Sequence, residues 1–264
     1  KNMMRVFSIL SIWLLLMSLL CLQADFSQVS TAAPGDQDVR IAIVTNAVAP
    51  FWVPMTVGLE HASKKLGVEA TWQGPPHAQV SEQRRIIEDM AAQGVDGIAI
   101  SPIDADAITP IIDELVENGI IVLTIDSDAP KSKRYAYIGT NNVEAGRIAG
   151  EAAAKCLPNG GEVVAFVGTL SALNAQERLE GFKEAASKHN IKVVDVKQDQ
   201  TDKNKARRNV EDTIQAYPEV DAFLGLWSYN PPAITAAVKA ADKIGKIQVF
   251  GFEVEPQTLS HLEN

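Results

Sequence analysis

Carboxylates, one arginine, amides, hydroxyls and aromatic rings recur in this sequence where short apolar runs end. Thr45, Asn46, Phe51 and Trp52 follow the run IAIV, Ser101 follows GIAI, and Asp126 closes VLTI. Farther along, Thr169, Asn174 and Arg178 follow EVVAFVG, Trp227 and Tyr229 follow AFLGL, and Glu253 closes VFGF. Carboxylates and guanidinium groups make charge-assisted hydrogen bonds, while ring faces accept C–H surfaces. Such a set suits reversible capture of a small ligand that has polar edges and apolar faces. Each member also has a plainer reading. Phe51 and Trp52 could staple a helix to a sheet, Asp126 could cap a turn, and Arg178, near Glu177 and Glu180, could sit on a solvated face. Trp227-Ser-Tyr229-Asn-Pro-Pro could be a rigid loop with packed rings. Their convergence on the ends of successive apolar runs favours a shared site.

Catalytic signals are poor. The first run continues Thr45-Asn-Ala-Val-Ala-Pro-Phe-Trp, with no G-x-G-x-x-G, and the chain has neither a G-x-S-x-G elbow nor a phosphate-binding loop. His61, His77, His189 and His261 lack metal-ligand spacing, so the chain is expected to carry neither metal nor cofactor. An acid–base role for Asp126 and Glu253 is the lesser reading, because duplication alone would leave matching carboxylates.

The elements that must position these residues alternate with regularity. Strand-like runs fall at 40–46, 68–74, 97–102, 120–127, 135–141, 162–169, 191–196, 222–228 and 247–253, with amphipathic stretches between most of them, among them 51–66, 78–93, 104–118 and 142–156. Apolar strands separated by helices predict an α/β fold, a doubly wound parallel sheet with helices on both faces. In such sheets ligands bind beyond the carboxyl ends of the strands, where the candidate residues lie.

An internal repeat doubles this plan. RRIIEDMAAQGVDGIAI (84–100) matches RRNVEDTIQAYPEVDAFLGL (207–226), so that Arg84, Arg85, Glu88 and Asp89 recur 123 residues later. GLEHASKKLGV (58–68) matches GFKEAASKHNI (181–191) at the same offset, and VLTID (122–126) matches VFGFE (249–253). Two similar lobes are expected, over 39–139 and 140–264, joined by a hinge near Gly139–Asn142 and facing each other across a cleft. Lobe one follows Asp126 with the strand YAYIGTN, and lobe two shows no counterpart after Glu253, so it reads as incomplete, with a C-terminal segment missing.

Bulk properties narrow the setting. The chain has 264 residues, 46% of them hydrophobic, and a net charge of −9 with no basic run, which argues against a nucleic-acid partner. Arg5 precedes the uncharged run Val6–Leu22, so residues 1–24 read as an export signal, with Cys21 a possible lipidation site and 25–38 a flexible leader. Beyond that signal only Cys156 remains, which leaves no internal disulfide.

The motifs IAIVTNAVAPFW, GIAISPIDADA, VLTIDSD, YIGTNNVEAGRIAG, NAQERLEGF, YPEVDAFLGLWSYN and VFGFE resemble the periplasmic sugar-binding proteins of the ribose- and galactose-binding type, a type I periplasmic binding protein family, over residues 39–264. The resemblance implies a non-enzymatic solute-binding subunit, periplasmic and monomeric. It would capture a monosaccharide or polyol and deliver it to the permease of an ABC importer in the inner membrane. A chemoreceptor or sensor kinase as the partner is the alternative. It further implies that Phe51 and Trp52 sandwich the sugar ring and that Asp126 grips its hydroxyls. Arg178 and Asn174 would reach the sugar from lobe two, Glu253 stands where an aspartate usually binds, and Ser101 where ribose binders place an asparagine. Departures at Ala49, Ser127, Thr201 and Trp227 imply a sugar or polyol other than ribose. Thr45, at the end of the first strand, completes the expected binding set with Trp227.

Overall fold

In the run RIAIV, Ala42 and Val44 are fully buried and Ile41 and Ile43 half-buried, as a strand covered on both faces requires, and it forms β1 (Arg40–Val44). The computed structural model describes residues 39–262. The expected signal (1–24), Cys21 and the leader (25–38) lie outside the described residues. Pro50 opens a 3-10 turn (Pro50–Trp52), so α1 starts at Val53 rather than at residue 51 and runs to Leu66. Prolines at 50 and 54 stand in first-turn positions, where the missing amide hydrogen costs nothing.

The rest of lobe one is β2 (Glu69–Gln73), α2 (Val80–Ala92), β3 (Gly97–Ile100), α3 (Ala105–Glu117), β4 (Ile121–Ile125) and β5 (Ala136–Ile138). These strands form a parallel sheet in the order β2-β1-β3-β4-β5. The run 135–141, expected as one strand, keeps only its middle in the sheet. The Tyr137 hydroxyl bonds the carbonyls of Asp126 (2.9 Å) and Thr140 (3.1 Å), so the backbone turns away after Ile138.

Lobe two comprises α4 (Asn142–Cys156), β6 (Gly161–Val167), α5 (Leu173–Ser187), β7 (Ile191–Gln198), α6 (Lys203–Ala216), β8 (Ala222–Gly225), α7 (Asn230–Ala240), β9 (Gln248–Gly251) and α8 (Pro256–Leu262). Its sheet is also parallel, in the order β7-β6-β8-β9, with four strands among the described residues. Alternate residues of β6 feed two cores. Val163, Ala165 and Val167 pack with Leu179 and Phe182 of α5 on one face, while Val164 and Phe166 pack with Val210, Phe223 and Ile234 on the other. Lobe one packs Ile86, Ile87 and Met90 of α2 and Ile108, Ile111 and Ile112 of α3 against β1, β3 and β4.

The duplication is visible in detail. Asp96 accepts the backbone amide of Arg40 at the start of β1 (2.8 Å), and Asp221 accepts that of Glu162 in β6 (2.7 Å). One contact belongs to lobe two alone: α4 and α5 cross at backbone distance. A Cβ on Gly146 would stand 2.2 Å from the carbonyl oxygen of Arg178, and one on Gly181 would stand 1.9 Å from that of Val143. Only glycine permits this approach, and it fixes Arg178 beside the first turn of α4. Cys156, at the last turn of α4, is exposed.

Candidate functional site

Both sheets end at one cavity, which Asp126 lines from lobe one and Asn174, Arg178 and Glu253 line from lobe two. Asp126 and Glu253 leave their strands in the left-handed region, with φ of 61° and 72°. Aspartate tolerates that conformation, whereas glutamate adopts it at a cost. Strain of this kind persists only where the surroundings impose it, and it recurs at the same point of both repeats.

Asp126 receives two hydrogen bonds on Oδ2, from Ser101 Oγ (3.1 Å) and from Asn174 Nδ2 across the cleft (3.1 Å). Desolvation pushes its carboxyl up to about 6, against the opposing pull of Arg178 and these donors. Glu253 is different, because it pairs with a cation of its own lobe. Arg178 Nη1 lies 2.8 Å from Glu253 Oε1 and 2.7 Å from the Leu226 carbonyl, while Nε donates to Asn142 Oδ1 (3.0 Å) and the guanidinium lies 4.8 Å from the Phe252 ring centroid. Burial still raises the Glu253 carboxyl, with Arg178 opposing it. Two carboxylates and one committed guanidinium leave the site with an excess of acceptors, which favours a neutral donor-rich ligand and disfavours an anion.

Aromatic rings close the walls. Phe51 and Trp52 meet edge to face, with centroids 4.9 Å apart, and Trp52 Nε1 donates to Asn46 Oδ1 (3.3 Å). Opposite them stand Trp227 and Tyr229, with centroids 6.5 Å apart. Gly168 at the end of β6 makes room for Trp227, since a Cβ there would stand 2.0 Å from the indole. Trp227 Nε1 donates to Asn174 Oδ1 (3.3 Å), so Asn174 is oriented by lobe two and presents its amide hydrogens to lobe one.

Seven of the nine expected residues line this cavity: Phe51, Trp52, Asp126, Asn174, Arg178, Trp227 and Glu253. The other two do not. Ser101 is fully buried behind Asp126 and acts on its carboxylate. Thr45 is fully buried as well; its hydroxyl donates to the Ala47 carbonyl (3.0 Å) and accepts from Trp72 Nε1 (3.1 Å), so it braces the turn after β1. Thr201 and Ser228 also line the cavity, and Asn142 aligns Arg178 from behind. Asn142 stands in the expected hinge and at the start of a helix, and nothing in the sequence marks it as a partner of Arg178. Among the described residues no group of acidic, histidine and cysteine side chains could hold a metal ion.

A periplasmic binding protein domain matches residues 41–264. The chain belongs to the periplasmic binding protein family. Among curated relatives, the D-ribose/D-allose-binding protein of Pseudomonas aeruginosa is 29% identical over 227 residues, which cover 81% of this chain and 70% of that protein. Among solved structures, an ABC transporter solute-binding protein of Burkholderia graminis in complex with D-arabinose is 35% identical, with a TM-score of 0.81 over 86% of this chain and 80% of that one. A glucose-galactose binding protein of Geobacillus stearothermophilus is 30% identical, with a TM-score of 0.81 over 86% and 82% of the two chains. These relatives are solute-binding proteins rather than enzymes.

Proposed function

We propose that this chain captures a neutral monosaccharide or related polyol between its lobes and hands it, in the periplasm, to the permease of an ABC importer. The observation that carries the reading is the pair of left-handed carboxylates, Asp126 and Glu253, that end repeat-related strands at one cavity walled by Phe51, Trp52, Trp227 and Tyr229. Asp126 would grip ligand hydroxyls through its oxygens, and the rings would take the C–H faces of the sugar. Arg178 serves chiefly to compensate Glu253 and the Leu226 carbonyl, so its charge is not available for a phosphate or a uronate. The relatives named for ribose, allose, arabinose, glucose and galactose support the ligand class, and the family supports the delivery step.

Calorimetric titration with neutral pentoses, hexoses and polyols, beside the matching uronates and sugar phosphates, tests this. At least one neutral sugar is expected to saturate a single site, and the anionic forms are expected to bind at least about tenfold more weakly, the effect of roughly 1.4 kcal/mol. A phosphorylated sugar that binds more tightly than its neutral parent would overturn the reading.

A further inference from the structure

Asp199 is the most deeply buried carboxylate of lobe two, 1% exposed, and it does not line the cavity. Among the described residues no lysine or arginine bonds it. Three donors satisfy it instead. The Tyr229 hydroxyl and the Thr201 backbone amide (2.9 Å) donate to Oδ1, and Asn230 Nδ2 donates to Oδ2 (3.2 Å). Each donor leads to the cleft. Tyr229 lines it directly, Asn230 accepts the backbone amide of Trp227 through its Oδ1 (3.0 Å), and Thr201 lines the cavity from the loop that Asp199 begins.

That loop is held in an unusual shape. Gln200 and Thr201 both have left-handed backbones, with φ of 55° and 63°, the second in a β-branched residue for which this region is an outlier. The Asp199 carboxylate bonds the Thr201 amide, and the backbone amides of Asp199 and Gln200 bond the carbonyls of Val167 (3.1 Å) and Gly168 (2.8 Å) at the end of β6. The strained turn carries the Thr201 hydroxyl across to lobe one, where it accepts the backbone amide of Ala78 (3.0 Å) just before α2. Other bridges, from Ser171 Oγ to the Ile103 carbonyl (2.8 Å), from Asn174 Nδ2 to Asp126 Oδ2 (3.1 Å) and from the Asn174 backbone amide to Ser127 Oγ (3.5 Å), span the lobes elsewhere and do not involve Asp199.

We propose that Asp199 is a positioning residue for the binding site: one buried carboxylate sets Tyr229, the Trp227 backbone and the Thr201 clasp together, so that the ligand-facing wall of lobe two and one of the contacts that hold the lobes closed are built by the same group. The inference rests on the reading of the cleft as a ligand site. A clasp that forms after encounter acts on ligand escape rather than on entry, because the approach to an open cleft does not require it. Asparagine at this position replaces an acceptor by an amide group facing either Asn230 Nδ2 or the Thr201 amide, so Asp199→Asn keeps the volume and breaks the arrangement.

The test has two arms, both on the full chain. Amide hydrogen exchange of the ligand-free protein, resolved by residue, is compared between wild type and Asp199→Asn. The Thr201 amide is expected to exchange about tenfold faster in the variant, the loss of a hydrogen bond of about 1.4 kcal/mol. Stopped-flow tryptophan fluorescence then follows whichever of D-ribose, D-arabinose, D-xylose, D-allose, D-glucose and D-galactose the wild type binds most tightly. Asp199→Asn is expected to raise the dissociation rate about tenfold and Thr201→Ala about threefold, with association rates within about twofold of wild type. If Asp199→Asn fails to fold, Thr201→Ala and Tyr229→Phe must show the same kinetic split. Unchanged exchange at Thr201, or slower association with unchanged dissociation, overturns the proposal. Absence of binding by any of the six sugars removes the ligand reading, while the exchange arm still decides whether Asp199 orders the loop.

Discussion

Asp126 follows β4 in lobe one and Glu253 follows β9 in lobe two, at matching positions of the repeated sequence and with the same left-handed backbone. Their surroundings have diverged. Glu253 is compensated by Arg178 within lobe two, whereas Asp126 has a hydroxyl from its own lobe and an amide from the other. A duplicated backbone can thus be kept while the charge balance is redistributed. One carboxylate becomes part of the scaffold that holds an arginine, and the other stays desolvated, with donors to gain from a ligand. The comparison extends to the helices. Gly58 in α1 has open space where a Cβ would point, and its repeat mate Gly181 in α5 is pressed against α4.

The largest expected effect breaks the scaffold half of that contrast. Arg178→Met should destabilise the protein by about 3–5 kcal/mol, because Glu253 is left without its cation and the Leu226 carbonyl and Asn142 lose their donor. Urea unfolding checks it, and a change below about 1 kcal/mol would show that the pair is solvated. Next come the paired glycines. In this chain Gly181→Ala should cost about 1–3 kcal/mol by forcing α4 and α5 apart, and Gly58→Ala should gain up to about 1 kcal/mol from helix propensity. Thermal unfolding of the two variants should therefore shift in opposite directions, and a shared sign would erase the distinction between these helices.

A smaller effect separates the carboxylates by pH. The Asp126 carboxyl is raised to about 6 in the fold from an ordinary value of 3.8, so between those values the native state holds more proton than the unfolded chain. Its contribution to stability is therefore greatest below the ordinary value and is lost as pH rises toward 6. Asp199, also raised to about 6 by burial, acts in the same direction. Ligand binding should run the other way, since the ionised Asp126 makes the stronger hydrogen bonds to hydroxyls. Melting curves from pH 4.5 to 7.5 should thus show Asp126→Asn gaining on the ligand-free wild type as pH rises, and sugar-induced stabilisation of the wild type shrinking as pH falls below 6. A constant difference between the two proteins across that range would place the titration elsewhere. The smallest effect tests what the lobes still share. Arg84–Glu88 (3.9 Å) and Arg207–Glu211 (2.7 Å) are repeat-related exposed pairs, and Arg84→Ala and Arg207→Ala should each cost no more than about 0.5 kcal/mol in urea unfolding.

Much of this was legible in the sequence because it rests on local pattern. The strand and helix alternation, the repeat and the cleft-facing carboxylates all follow from apolar periodicity and from the rule that ligands sit beyond strand ends. What the sequence hid depends on where a side chain turns after its strand. Thr45 and Ser101 stand at strand ends like the true lining residues, yet their hydroxyls point back to Ala47 and to Asp126. Asp199 reads as a polar loop residue, and its burial arises from Tyr229 and Asn230, 30 and 31 residues later. The close crossing of α4 and α5 was equally hidden. Gly146 and Gly181 declare themselves only when both helices are placed, because neither shows a positive φ.

The central claim is that Asp126 faces a neutral sugar from a cleft built by duplication. Isothermal titration of the tightest-binding neutral sugar into wild type and Asp126→Ala, side by side at pH 7.5, tests it most directly. The variant should fold, with removal of a desolvated carboxyl offsetting the strain of alanine in the left-handed region and the loss of the acceptor for Ser101 and Asn174, and should lose at least about 2–3 kcal/mol of binding free energy, as expected for charge-assisted hydrogen bonds left unmade. An Asp126→Ala protein that folds and binds the sugar with wild-type affinity would contradict the account.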